Sequence, residues 1–224
     1  MEATEQVTPR DFEAAEGVED WRVLAEGACV FLRTGSFAES ARLVQAIGEL
    51  PGVAKHPPAV DVREGGVTVR LITATDDYLG MTENDVQIAR QISAAARELG
   101  LSADPSAVQS VLVIPGAPDI GEVMPFWRAV LGYEPRPDSP DEDLVDPQDR
   151  GAAFWFETME EPRPGGGGAI HLAIWVPHDQ AEARIAAALA AGGRMVRDEY
   201  APSWWTLADA AGNEADIATT MGRA

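Results

Sequence analysis

A break in hydrophobic periodicity at residues 101–107 (LSADPSA) constrains this chain more than any other feature, because core-forming patterns lie on both sides of it. Ser, Asp and Pro occur there without the period of either helix or strand, as in a connection between elements. The chain has 224 residues, more than the common domain size of about 100–150, so the break predicts two domains, 1–100 and 108–224, with 101–107 as linker. Hydrophobic residues at 46% and charged residues at 24% give each half enough apolar surface to build a core.

The first half reads as α-β-β-α-β-β-α. A short helix after residue 8 precedes strands at Trp21–Leu24 and Ala28–Arg33, turning at Glu26 and Gly27. Ser36, three residues before Glu39, has capping-box spacing, and Phe37, Ala41, Val44 and Ile47 recur at helical intervals until Pro51. Val60 and Val62, then Val67, Val69 and Leu71, alternate with polar neighbours around Glu64–Gly66, which predicts a hairpin with one buried face. Thr82, with Asp85 three residues on, caps a helix whose apolar face is Ile88, Ile92, Ala95 and Leu99, ended by Gly100.

The second half uses one theme twice. A strand at 109–114 leads to a helix at 120–131 ended by Gly132, an acidic loop at 138–149, and a strand at 152–158. A Gly-rich loop, 165–168, then leads to a strand at 169–176, a helix at 179–191 ended by Gly192, and short strands near 194–197, 203–208 and 214–219. Paired βαβββ units of this kind curl around a shared cleft, so the overall fold class is α+β.

The net charge of −20 sets up a field that repels phosphate backbones and anionic lipid surfaces, and Lys55 is the only lysine. Neither nucleic acid nor membrane is therefore expected as a partner. The arginine-dominated basic residues suit a bacterial, high-GC source. Cys29 is the only cysteine, which rules out an intrachain disulfide and a Cys-based zinc cluster. The N-terminal stretch lacks a basic region followed by an apolar one, so a cytoplasmic location is expected.

The segment KHPPAVDVREGGVTVRLITATDDYLGMTENDVQIARQI (55–92), with Trp21, Arg22 and Phe37 before it, resembles the pterin-4a-carbinolamine dehydratases over about residues 8–100. GMTENDVQIAR, 80–90, is the most specific part. The resemblance implies a four-stranded antiparallel sheet backed by helices, and a hydro-lyase that removes water from a 4a-hydroxytetrahydropterin without metal or organic cofactor. Such chemistry needs a proton donor to the leaving hydroxyl and a base for the ring N–H, roles that imidazoles fill near neutrality. The family places a His-His-Pro and a later Thr-His around the pterin. Here His56 matches the first histidine, Pro57 stands at the second, and Asp76, after Thr75, at the third; Val60 replaces an aromatic residue. The catalytic expectation is thus His56 and Asp76, with Pro57, Pro58, Asp77 and Tyr78 as substrate contacts, and the equipment is incomplete.

The segment DIGEVMPFWRAVLGYEP, 119–135, resembles the first helix of the glyoxalase/bleomycin-resistance/dioxygenase (vicinal-oxygen-chelate) family through Asp119, Phe126, Trp127, Leu131 and Gly132. IHLAIWVP, 170–177, and LADAAGNEADIA, 207–218, match its second half-repeat. The resemblance implies a ligand cleft, for which Trp155, His171, Trp205 and Asp216 are the candidates. His171, Asp216 and Gln109 form an incomplete ligand set, so no metal is assigned. Trp155, Trp175, Trp204 and Trp205 either line the cleft or fill the core.

Three functional readings follow. The first is a pterin-4a-carbinolamine dehydratase-like protein with an appended glyoxalase-like domain, binding a pterin-like small molecule. The second is a non-catalytic protein that binds a pterin-like or drug-like molecule, and the third a metal-dependent lyase or isomerase run by the second domain. Homo-oligomerisation is left open.

Overall fold

Among the described residues five α-helices, α1 (Pro9–Glu13), α2 (Phe37–Gly48), α3 (Glu83–Glu98), α4 (Ile120–Leu131) and α5 (Ala181–Ala190), start at their capping signals with one exception, α5. The computed structural model describes residues 5–25, 27–159, 170–208 and 214–222, leaving out the side chains of Phe126, Ala129 and Val130. Glu26 of the expected first turn, the glycine run 165–168 and residues 209–213 before the last strand lie outside the described residues. The Ser36 hydroxyl accepts from the Glu39 amide at 3.3 Å and the Asp119 carboxylate from the Gly121 amide at 2.8 Å, each using a donor the helix leaves unpaired. Gly132 ends α4 at φ 68°, a left-handed conformation that glycine adopts without steric cost.

The chain divides into two compact units, Met1–Val108 (unit 1) and Gln109–Ala224 (unit 2). In unit 1, strands run antiparallel in the order Arg22–Leu24, Gly27–Arg33, Gly66–Leu71 and Ala59–Arg63. Phe12, Trp21, Leu43, Val67, Val69, Leu71 and Ile92 build the core against it. The α2 face differs from expectation: Ser40, Leu43 and Ile47 are buried while Phe37 is 75% exposed. Leu43, which the spacing from Phe37 passes over, pairs with Ile47 across one turn and sets the rotation of the helix.

Two further departures concern connections. Residues 101–107 are more than a linker: Ser102 and Ala103 pair with Arg33 and Leu32 beyond the point where Arg22–Leu24 stops, and Asp104 forms an ion pair with Arg33. The region before α3 holds a hairpin, Thr73–Thr75 with Tyr78–Thr82, which joins Gln6–Val7 in a separate three-stranded sheet. Strands of three to five residues carry too little alternation to stand out in sequence.

Unit 2 is a strand-helix-strands unit used twice. The first copy comprises Ser110–Ala117, α4, Glu134–Arg136, Ser139–Val145, and Ala153–Trp155 continued by Glu157–Thr158; the second comprises Ile170–Trp175, α5, Arg194–Arg197, Trp204–Ala208 and Glu214–Ala218. In each copy the last strand lies parallel beside the first, and the two first strands meet antiparallel at the centre, with His171 opposite Ile114. α4 packs through Met124 on Leu144, Phe154 and Phe156, and α5 through Ile185 on Val176, Leu207 and Ile217. The acidic stretch expected as a solvated loop is instead the strand Ser139–Val145, paired on both sides. Its charges are mostly outward, while Leu144 is buried and Asp143 is matched by Arg136 Nη1 at 3.2 Å.

Candidate functional site

Unit 1 collects its polar chemistry where the hairpin meets the start of α3. Asp85 has a side-chain exposure of 0%, and three side chains and one amide converge on it. His56 Nε2 lies 2.6 Å from its Oδ1; Thr73 Oγ1 donates to Oδ2 at 2.7 Å, as do the Thr82 amide and hydroxyl at 2.8 Å each. Burial alone would push the Asp85 carboxyl up, but the bonds from His56, Thr73 and Thr82 outweigh it and hold the group below the usual carboxylate range. The hydrogen bond to Asp85 raises His56 above the ordinary histidine value, against a smaller opposing effect of burial. Each group thus favours the charged form of the other, with His56 still 23% exposed.

A pH dependence follows. The raised His56 value contributes stability that is complete below the ordinary histidine pKa of about 6.5 and fades as pH rises through the folded-state value. The lowered Asp85 value contributes stability that is present above the ordinary carboxylate pKa of about 4 and is lost as pH falls through the folded-state value. Thermal unfolding of unit 1 should thus be highest between about pH 4 and 6.5 and decline on the alkaline side, and His56→Gln should flatten that alkaline decline. An unchanged alkaline slope in the variant would assign the decline elsewhere.

The other unit 1 candidates are placed differently. Asp76 and Asp77 form the exposed two-residue turn of the hairpin, because Thr75 pairs directly with Tyr78. Among the described residues no hydrogen bond or ion pair joins Asp76 to His56; Thr75 Oγ1 donates to Asp77 instead, at 2.9 Å. The Tyr78 hydroxyl donates to the Met81 carbonyl at 2.6 Å. Pro57 is exposed and Pro58 half-buried beside His56. Sequence reading missed Asp85 and Thr73. Asp85 carried a cap signal that sufficed to explain it; the signal pointing further was a histidine, His56, without an assigned partner.

In unit 2 the face opposite the helices forms a cleft of about 480 Å³. Trp155, His171 and Asp216 line it, joined by Trp175, Trp204, Thr206 and Glu157. Thr206 Oγ1 donates to Asp216 Oδ1 at 2.6 Å, and His171 Nε2 lies 3.3 Å from Asp216 Oδ2. Trp205 corrects the expectation: it packs with the core under α5, because its neighbours Trp204 and Thr206 take the cleft side of a strand whose side chains alternate. Gln109 is exposed and accepts from Arg184 Nη1 at 3.2 Å. Among the described residues no cluster of three His, Cys, Asp or Glu side chains is arranged to hold a metal ion. Glu157 was missed, although the spacing from Trp155 puts the two on the same side.

Comparisons with known proteins agree with this division. Residues 5–95 match the family model of pterin 4 alpha carbinolamine dehydratase, and residues 110–218 match that of a glyoxalase-like domain. The chain thus joins a pterin-4a-carbinolamine dehydratase domain to a glyoxalase-like domain. Among solved structures, a glyoxalase/bleomycin resistance protein/dioxygenase superfamily member from Vibrio splendidus 12B01 aligns at 17% identity and a TM-score of 0.33, covering 50% of this chain and 99% of its own. No curated protein matches the chain. No described helix is long and apolar enough to cross a membrane.

Proposed function

We propose that unit 1 dehydrates a 4a-hydroxytetrahydropterin, with His56 as its acid and base and Asp85 as the group that positions and charges it. The observation that carries this reading is the 2.6 Å bond between the partly exposed His56 and the fully buried Asp85 carboxylate. Asp85 engages Nε2, so Nδ1 is the nitrogen offered to substrate. An imidazolium donates its proton to the C4a hydroxyl as the C–O bond breaks and water leaves. The neutral imidazole so formed accepts the proton from the ring N–H as the C=N bond of the quinonoid dihydropterin forms. The proton returns to His56, so one imidazole serves both steps, in keeping with Pro57 and Asp76 at the other two family positions. Asp85 holds the ring in one tautomer and stabilises its charge throughout. Pro58 and the ring of Tyr78 are the substrate contacts this reading retains.

The test is a dehydration assay with enzymatically generated 4a-hydroxytetrahydropterin. Wild-type chain should accelerate the loss of water, and His56→Ala should lower the rate about 100-fold or more, the common contribution of a positioned acid-base group. Asp76→Asn should leave it unchanged. Equal rates for wild type and His56→Ala would defeat the proposal.

A further inference from the structure

We infer that the cleft of unit 2 is a binding site for an uncharged planar nitrogen heterocycle carrying ring N–H and amino donors along one edge, as an aminopyrimidinone ring does. The inference is independent of the dehydration reading, since none of its residues belongs to unit 1.

The walls are aromatic and held in place. Trp155 and Trp175 meet edge to face, with centroids 6.4 Å apart at 66°, and Tyr200 stacks on Trp204 at 4.3 Å and 15°. The Arg136 guanidinium sits 5.1 Å from the Trp155 ring centroid, and Asp138, 2.6 Å from its Nε, fixes the guanidinium in turn. Indole faces and edges favour flat ring partners over branched aliphatic ones. At about 480 Å³ the cleft lies within the roughly 300–1,000 Å³ of small-molecule sites, enough for a bicyclic ring with substituents.

The floor selects for donors. Asp216 accepts from Thr206 through Oδ1 and faces His171 through Oδ2, and Glu157 adds a second carboxylate to the lining. An ionised carboxylate only accepts hydrogen bonds, and each of its oxygens has room for two. A ligand edge presenting adjacent N–H groups fits that floor. Of the charged lining side chains, Glu157 and Asp216 are acidic and Arg197 is basic. A phosphorylated or carboxylated ligand would meet two like charges. A quaternary ammonium would satisfy the rings but offer Asp216 no N–H donor.

Calorimetric titration of the full chain with 2-amino-4-hydroxypteridine, alongside trimethylphenylammonium as a flat cation without N–H groups, tests this. The pteridine should bind a site whose affinity falls about tenfold or more in Trp155→Ala and in Asp216→Asn, and which survives in His56→Ala. Trp155→Phe keeps a ring at the same place and should keep most of the affinity, separating loss of the wall from loss of the fold. Three outcomes overturn the inference. They are the absence of pteridine binding, binding indifferent to both Trp155→Ala and Asp216→Asn, and tighter binding of the ammonium than of the pteridine.

Discussion

Asp85→Ala should destabilise unit 1 by about 3–5 kcal/mol, the usual cost of removing one partner from a buried charged pair. The loss is large because one carboxylate closes several accounts at once. Without it the His56 ring, the Thr73 and Thr82 hydroxyls and the Thr82 amide lose their partner, and the first turn of α3 loses its cap. Burial of Asp85 prevents water from replacing it without rearrangement. Amide hydrogen exchange along α3 reads unit 1 separately from unit 2 and should show the drop. His56 should return toward an ordinary histidine titration in the same variant. Asp85→Asn keeps the shape and one acceptor oxygen, so its loss should be smaller while the His56 shift still collapses. A stability change below about 1 kcal/mol in Asp85→Ala would mean that the network closes around water instead.

Trp21→Ala should cost a similar amount, about 3–5 kcal/mol, the range for deleting a buried large aromatic side chain. Trp21 is 1% exposed, and its indole Nε1 donates to Ser93 Oγ at 3.0 Å inside the core. The substitution combines a cavity with a buried hydroxyl deprived of its donor. Ser93 lies on α3, the helix that presents Asp85, so looser packing there should also shorten the lifetime of the His56–Asp85 contact. Trp21→Phe retains most of the volume and loses the N–H, and should cost about 1–2 kcal/mol. Urea denaturation with hydrogen-exchange readout separates the two variants. Equal losses would assign the whole effect to the hydrogen bond and none to volume.

The parts of this protein that follow from neighbouring residues were legible in the sequence. Ser36 and Thr82 announced helix starts, and the glycine at 132 announced a helix end. Alternation at Val60–Leu71 announced a hairpin, and the repeated strand-helix-strands pattern a second unit with a cleft. All of these depend on contacts within a few positions along the chain. The strand Ser139–Val145 escaped because its charges resemble those of a solvated loop, and Arg136, buried beside it, with a hydrogen bond from Ser139, makes Asp143 tolerable there; burial still pushes the Asp143 carboxyl up to about 6. The Thr73–Thr82 hairpin escaped because its strands are too short to show a period.

The sites divide along the same line. Sequence by itself determined which side chains were on hand: His56 without a neighbouring histidine, an unusual supply of tryptophans, and His171 with Asp216 on candidate strands. Tertiary structure alone decided which of them meet. It seated the 29-residue-distant Asp85 under His56 and left Asp76 in a solvent-facing turn. In the second unit it turned Trp204 to the cleft and Trp205 to the core. Partner choice across such separations depends on strand register and helix rotation. A shift of one residue in either moves a side chain to the opposite face, and that decision is made by packing of the whole core.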